Sequence, residues 1–268
     1  DPEDVHDLRV ASRRLREGLA LFAPILPRRR LRRLSRRVRE LTRLLGELRN
    51  ADEAARFFTE LESQAPAGAR PAARRLLEES TAEGGQLRLR LEKDLASFDA
   101  ASLREDFRRG LGAPNPFRIR QPDPFHPFPP FAASAFAERG AQAEALLPAA
   151  LQEGDAAAQH RLRIAVKKLR YRLEIVAPLL ADDGVKARRT LKRYQDLLGE
   201  LHDLEVFAGL VRERVTDRAG REALLKMIGT RSNDRFASFS KLDAKQPLGT
   251  LAARVGAGLT GRAYRQAR

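Results

Sequence analysis

The chain repeats itself. Residues 5–24, VHDLRVASRRLREGLALFAP, align without a gap onto residues 159–178, QHRLRIAVKKLRYRLEIVAP, with nine identities in twenty positions. The identities include His6/His160, Leu8/Leu162, Arg9/Arg163, Leu15/Leu169, Arg16/Arg170 and Pro24/Pro178. Arg13/Lys167 and Arg14/Lys168 keep their charge. After one residue is lost in the following turn, Leu44-Leu45-Gly46-Glu47-Leu48 matches Leu197-Leu198-Gly199-Glu200-Leu201 without a mismatch. A repeat of this length is a whole supersecondary unit, so the fold must use one helical hairpin twice. The chain therefore reads as an all-α internal duplication, each half expected as a four-helix bundle.

Apolar periodicity supports helix almost throughout. Val5, Leu8, Leu15, Leu19, Phe22 and Leu26 recur at helical spacing, and Leu31, Leu34, Val38, Leu41, Leu45 and Leu48 continue it. Pro24 and Pro27 mark the break between these two helices. Further helices are expected at about 51–63 and 70–98, the latter interrupted or kinked at Gly84-Gly85, and Gly140 also reads as a helix break. No segment alternates apolar and polar residues as a strand would. Residues 111–131 hold 7 of the chain's 15 prolines together with Phe117, Phe125, Phe128 and Phe131. Proline removes donors and disfavours helix, so this stretch reads as a linker between halves at 1–110 and 132–268. Its phenylalanines could dock it on a bundle surface, and a proline-motif ligand is the alternative reading. A helix at about 132–150 precedes the second copy of the repeat. Nothing equivalent precedes Asp1, so a further helix is expected ahead of it.

Charge supplies the functional clue. The 268 residues carry 51 Lys+Arg against 36 Asp+Glu, a formal net charge of +15, and 43 of the 51 are arginine. Such a surplus concentrates polyanions near the surface, and the guanidinium fork fits phosphate oxygens. A GC-rich codon bias would also enrich arginine, so position must decide. His6, Arg9, Arg13 and Arg16 are spaced three, four and three residues apart, on one helical face. That face lies about 120° from the expected Val5/Leu8/Leu15/Leu19 core face. His160, Arg163, Lys167 and Arg170 repeat the arrangement beside Leu162/Leu169/Leu173. On the next helix Arg32, Arg36, Arg39 and Arg43 form a row. The second copy keeps Arg189 and Lys192 at the Arg36 and Arg39 positions but has Val185 and Asp196 for Arg32 and Arg43. The nearby sequence offers too few carboxylates along this stripe to neutralise it. Like charges at this spacing cost a few tenths of a kcal/mol, roughly, per pair. A linear polyanion relieves that repulsion and releases its counterions. A solvated helical face is the bland reading of any one such row; recurrence in both halves argues against it.

Other chemistries find less support. The chain has no cysteine, which excludes disulfides, thiolate metal sites and cysteine nucleophiles and suits a reducing, cytoplasmic setting. No apolar run approaches bilayer length. No two histidines stand three or four residues apart, so neither a metal site nor a metal phosphohydrolase is expected, although His6-Asp7 and His202-Asp203 are suggestive pairs. No cofactor is expected either, for no glycine-rich loop joins a strand to a helix. His6 and His160 could donate to phosphate or bond locally. His202 reads as a turn residue and His126 has no evident role. Tyr171 and Tyr194 read as core. A nucleic-acid backbone binder remains the alternative, with 6% aromatic content and no tryptophan to set against single-strand stacking.

The segments HDLRVASRRLR at 6–16 and HRLRIAVKKLRY at 160–171, with the two LLGEL elements, resemble CHAD domains, the histidine-containing α-helical family. The resemblance covers essentially the whole chain. It implies two four-helix bundles related by a pseudo-two-fold axis and a basic surface or pore that binds inorganic polyphosphate without catalysis. It also implies association with polyphosphate-metabolising proteins and polyphosphate granules. Carried over, the ligand contacts are expected from His6, Arg9, Arg13, Arg16, Arg36, Arg39, His160, Arg163, Lys167, Arg170, Arg189 and Lys192. Arg14 and Lys168 match the motif but point away from the stripe.

Overall fold

The structure is a computed structural model that describes residues 2–24, 26–111, 128–180 and 182–266. Among the described residues it is helical, without strands. The helices are α1 (Pro2–Leu21), α2 (Arg28–Gln64), α3 (Arg70–Ser97), α4 (Ala100–Leu111), α5 (Phe128–Glu144), α6 (Leu147–Ala150), α7 (Ala156–Val176), α8 (Asp182–Arg214), α9 (Arg218–Lys245) and α10 (Leu248–Gln266), with a 3-10 turn at Ala177–Leu179.

Local chemistry sets several boundaries. Asp99, Asp155 and Asp217 each accept from the amide three residues ahead, those of Ser102, Ala158 and Gly220, at 2.8, 2.8 and 2.6 Å. A carboxylate there satisfies an otherwise orphaned N–H and meets the positive end of the helix, a contribution of about 1 kcal/mol per helix. The proline break between the first two helices falls where expected, between Leu21 and Arg28.

Contacts gather into two compact units, each drawing on both sides of the proline-rich segment. Unit 1 is Asp1–Ser12, Arg37–Leu103 and Asp203–Asp234; unit 2 is Arg13–Arg36, Arg104–His202 and Arg235–Arg268. In unit 1 one core joins Phe58, Leu61 and Leu76 to Phe207, Val211, Leu224 and Ile228, with Phe57 stacked on Phe207 at 4.3 Å between centroids. A second joins Leu41, Leu45 and Leu48 to Leu91. The unit 2 core takes Phe136 from α5, Leu162, Val166, Leu169 and Leu173 from α7, and Leu191, Tyr194 and Leu198 from α8. Phe239 and Leu242 of α9 and Val255 and Leu259 of α10 complete it. The apolar period of α7 is thus read correctly from sequence. Tyr171 and Tyr194 are both buried, as expected.

Elsewhere the structure corrects the reading. α2 is continuous through 51–63, and α3 runs unbroken through Gly84-Gly85. A glycine costs a helix only about 1 kcal/mol, and the buried row Ala73, Leu76, Ser80, Gly84 and Leu91 supports α3 on both sides of the pair. Gly140 lies inside α5, where a Cβ would come within 2.8 Å of the Ala252 Cβ. It is a close-approach glycine between α5 and α10, not a break. The linker ends earlier than expected, for Phe128 and Phe131 belong to α5, and Phe128 stacks with Phe22 at 6.3 Å. Phe117, Phe125 and His126 lie outside the described residues.

The core face of α1 also differs. Leu8 and Leu15, expected inside, are each 38% exposed, whereas Arg9, Ser12 and Glu17 are buried. Glu17 explains the turn in unit 2. Its carboxylate accepts from Arg172 Nε at 2.9 Å, from Arg172 Nη2 at 2.5 Å and from Arg139 Nε at 3.0 Å. A charge taken from water must face its partners, and that demand outweighs the burial of two leucines. In unit 1 Ser12 donates to the Arg9 carbonyl at 2.9 Å and accepts from Thr42 at 3.1 Å.

Candidate functional site

α7 and the first two-thirds of α8 carry the best-defined group of predicted residues, all in unit 2. The Asp155 cap starts α7 and fixes the phase of its side chains. His160, Arg163 and Lys167 then follow on one flank, each half-buried. Across from them His202 brings its Nδ1 to 3.0 Å from the Nδ1 of His160, with ring centroids 4.3 Å apart. His202 therefore belongs to a helix rather than a turn, and it sits 42 residues from its partner in sequence. Two nitrogens at that distance share one proton, so one ring donates and the other accepts.

Burial, and then nearby positive charge, keep the pair neutral. Burial lowers the pKa of His202, and Arg163, His160 and Lys167 push it further, to about 4. His160 is lowered as well, first by burial and then by Arg163 and Lys167. Both rings thus register the positive field of the same two side chains. What α7 and α8 build is a cationic recess with two neutral imidazoles at its edge, and the ring whose Nδ1 accepts carries its proton on Nε2, where it can donate to an anion's oxygen.

The next member of the row behaves differently. Arg170 donates through Nε to Gln195 Oε1 at 2.8 Å and through Nη1 to Glu174 Oε1 at 2.5 Å, and its guanidinium lies 4.7 Å from the Tyr171 ring centroid. Glu174 also takes Arg14 Nε at 2.5 Å. One carboxylate therefore answers two cations of the motif, contrary to the expectation that the stripe lacks acids. The pairing was legible: Glu174 follows Arg170 by four residues, the spacing of neighbours on a helix.

The remaining predicted residues are distributed. In unit 2 Arg13 is half-buried, while Arg16, Arg36, Arg189 and Lys192 are exposed. Lys192 pairs with Asp196 at 2.9 Å, so the acid that replaces Arg43 in the second copy neutralises its own neighbour. Arg189 lines a cavity on another flank of α8. In unit 1 Arg9 is buried, 8% exposed, and is no outward-facing member of a row; Arg39 is exposed. The His6 side chain lies outside the described residues. Among the described residues no three His, Cys, Asp or Glu side chains are grouped as metal ligands. None of the helices described is long and apolar enough to cross a membrane.

The sequence profile of the CHAD domain matches residues 1–212, well over half of the chain. The chain belongs to the CHAD family. No curated protein matches it. Among solved structures it is similar to the crystal structure of the CHAD domain from the plant Ricinus communis, at 24% sequence identity. That match covers 97% of this chain and 82% of the plant one, with a TM-score of 0.49, too loose a global fit to carry any residue across. In this CHAD chain the second copy of the repeated histidine-bearing segment, 160–171, lies in α7.

Proposed function

We propose that this CHAD protein binds inorganic polyphosphate, without hydrolysing it, through the recess of α7 and α8 in which Arg163 and Lys167 face the His160/His202 pair. The observation that carries the reading is that grouping: two cations one helical turn apart, half-buried, beside imidazoles that burial and then the field of those cations hold neutral. CHAD domains are a family associated with polyphosphate binding. Half-burial strengthens each contact to phosphate over the same contact on an open surface, because the local dielectric is lower. The absence of aromatics from the row disfavours bases as the recognised groups.

Arg13, Arg16 and Arg36 of unit 2 extend the site in this reading, and the two sequence copies descend from one duplicated helical hairpin, each copy completing a four-helix bundle. Arg170 positions the recess through Gln195 and Glu174 rather than gripping ligand. The polyphosphate-metabolising proteins of the cytoplasm are the partners this function implies.

Titration with polyphosphate chains of graded length tests the proposal. Affinity should rise with length until the cationic residues are covered and fall steeply with salt. Polyphosphate should displace both duplex and single-stranded nucleic acid at moderate salt; if nucleic acid wins, or orthophosphate accumulates on incubation with divalent metal, the reading fails.

A further inference from the structure

A second basic feature lies on the other flank of α8. Lys186, Arg189 and Arg193 project there from successive turns, facing Lys245 at the end of α9 and Arg254 of α10. Together they line a cavity of about 690 Å³ within unit 2. The recess and this cavity are separate. Gln195, which meets Arg170, and His202, which meets His160, follow Arg193 by two and nine residues, about 200° and 180° round the helix. One side of α8 therefore faces α7, and the opposite side faces the connection between α9 and α10.

The cavity is built for anions. Among the described residues no carboxylate lines it, and none of its five cations makes an ion pair. Asp243, the acid just ahead of the α9–α10 connection, is engaged elsewhere: it accepts from the Tyr194 hydroxyl at 2.5 Å and from the Leu248 amide at 3.2 Å. One edge is closed by Thr190, whose hydroxyl donates to Gln246 Oε1 at 2.7 Å. The floor is apolar, from Ala187, Leu251 and Val255. The first turn of α10 opens at the rim through Pro247 and Thr250, adding the positive end of its dipole.

Its shape also selects. The α7 row is linear and follows one helix, whereas these cations come from three segments and converge on one concave volume. Mutual repulsion among five of them is relieved by a single body bearing several negative groups pointing different ways. Among the described residues no aromatic side chain lines the cavity, which gives a nucleobase no platform for stacking there.

We infer that this cavity is a second, independent site that takes a compact anion carrying three or more phosphate groups, separate from the polyphosphate recess of α7 and α8. Phosphate groups of this kind occur in a short phosphoanhydride chain or as esters on a small ring. Inorganic triphosphate and myo-inositol hexakisphosphate represent the two.

The test is calorimetric titration of the full chain with each probe at fixed salt. At least one probe should bind saturably at one equivalent, and the tighter one identifies the source of the phosphates. R193S/R254S should weaken that binding about tenfold or more, as loss of charged hydrogen bonds does. K186S/K245S, which removes two other exposed side chains, should weaken it likewise, with helicity by circular dichroism unchanged in both. K167A should leave it intact. Saturable binding by neither probe, wild-type affinity in both double variants, or an equal loss in K167A overturns the inference. Long polyphosphate titrated into the same variants reports on the recess separately: if K167A binds it normally, the recess reading fails while the cavity stands.

Discussion

Glu17→Ala should destabilise the protein by about 3–5 kcal/mol, the cost of leaving a buried charge without its partner. Glu17 and Arg172 are 5% and 4% exposed, and three of the hydrogen bonds around them end on one Glu17 oxygen. Their partners would suffer unequally. Arg139 keeps Gln142 Oε1 at 2.8 Å and some access to water, with its side chain 17% exposed. Among the described residues Arg172 would keep its bond to the Ala135 carbonyl at 3.3 Å, so most of the cost falls on it. Removing both charges should cost far less. Glu17→Leu combined with Arg172→Leu should recover most of the loss, since an apolar pair of similar volume needs no desolvation of ions. Urea denaturation followed by far-ultraviolet circular dichroism measures the difference, and hydrogen exchange of the α7 amides localises it. A Glu17→Ala loss below about 1 kcal/mol, the range of solvent-exposed pairs, would refute the argument that this carboxylate sets the rotation of α1.

Replacing Arg13 and Lys167 with alanine should weaken polyphosphate binding and lower the slope of log affinity against log salt by about one to two, with helicity unchanged; an unaltered slope would show the row to be solvated surface. Stability should fall in acid through the histidine pair. The pKa of His202 is lowered in the folded chain, to about 4 from 6.5, so the unfolded chain takes up protons that the folded one refuses. This contribution is complete above about pH 6.5 and is lost as pH falls toward 4; Tm measured across that window should drop less in His202→Gln, and equal drops would count against the pairing. Gly140→Ala places a Cβ within 2.8 Å of Ala252. Overpacking of about 1–3 kcal/mol should exceed the roughly 1 kcal/mol gained in helix propensity; a lower Tm restored by adding Ala252→Gly is expected, and a raised one would disprove the close approach.

How far the site could be read in advance varies by element. The buried stripe of Leu162, Leu169 and Leu173 on α7 was legible, and the same period places His160, Arg163 and Lys167 on its flank. The ion pair of Arg170 with Glu174 is visible in a four-residue spacing that the longer cationic pattern masks. α1 shares seven residues with α7 over the repeat, yet Leu8 and Leu15 are exposed where Leu162 and Leu169 are buried. Identity of sequence did not transfer because Glu17 stands where the second copy has Tyr171, and a buried carboxylate has to reach Arg139 and Arg172.

The order of residues alone was enough to establish the sequence repeat, the helical class, the proline break after Leu21 and the excess of cations, since each is a property of the sequence itself or of neighbours within a few turns. The three-dimensional arrangement decided which cations act together. His160 met His202, Glu17 met Arg172, and Lys245 and Arg254 joined Arg193 around one cavity, across separations no helical period encodes. A periodic pattern gives the angle of a side chain about its own axis. The identity of whatever faces that angle is fixed only when distant helices pack, because burial and charge pairing are satisfied by the assembled core and not by any one segment.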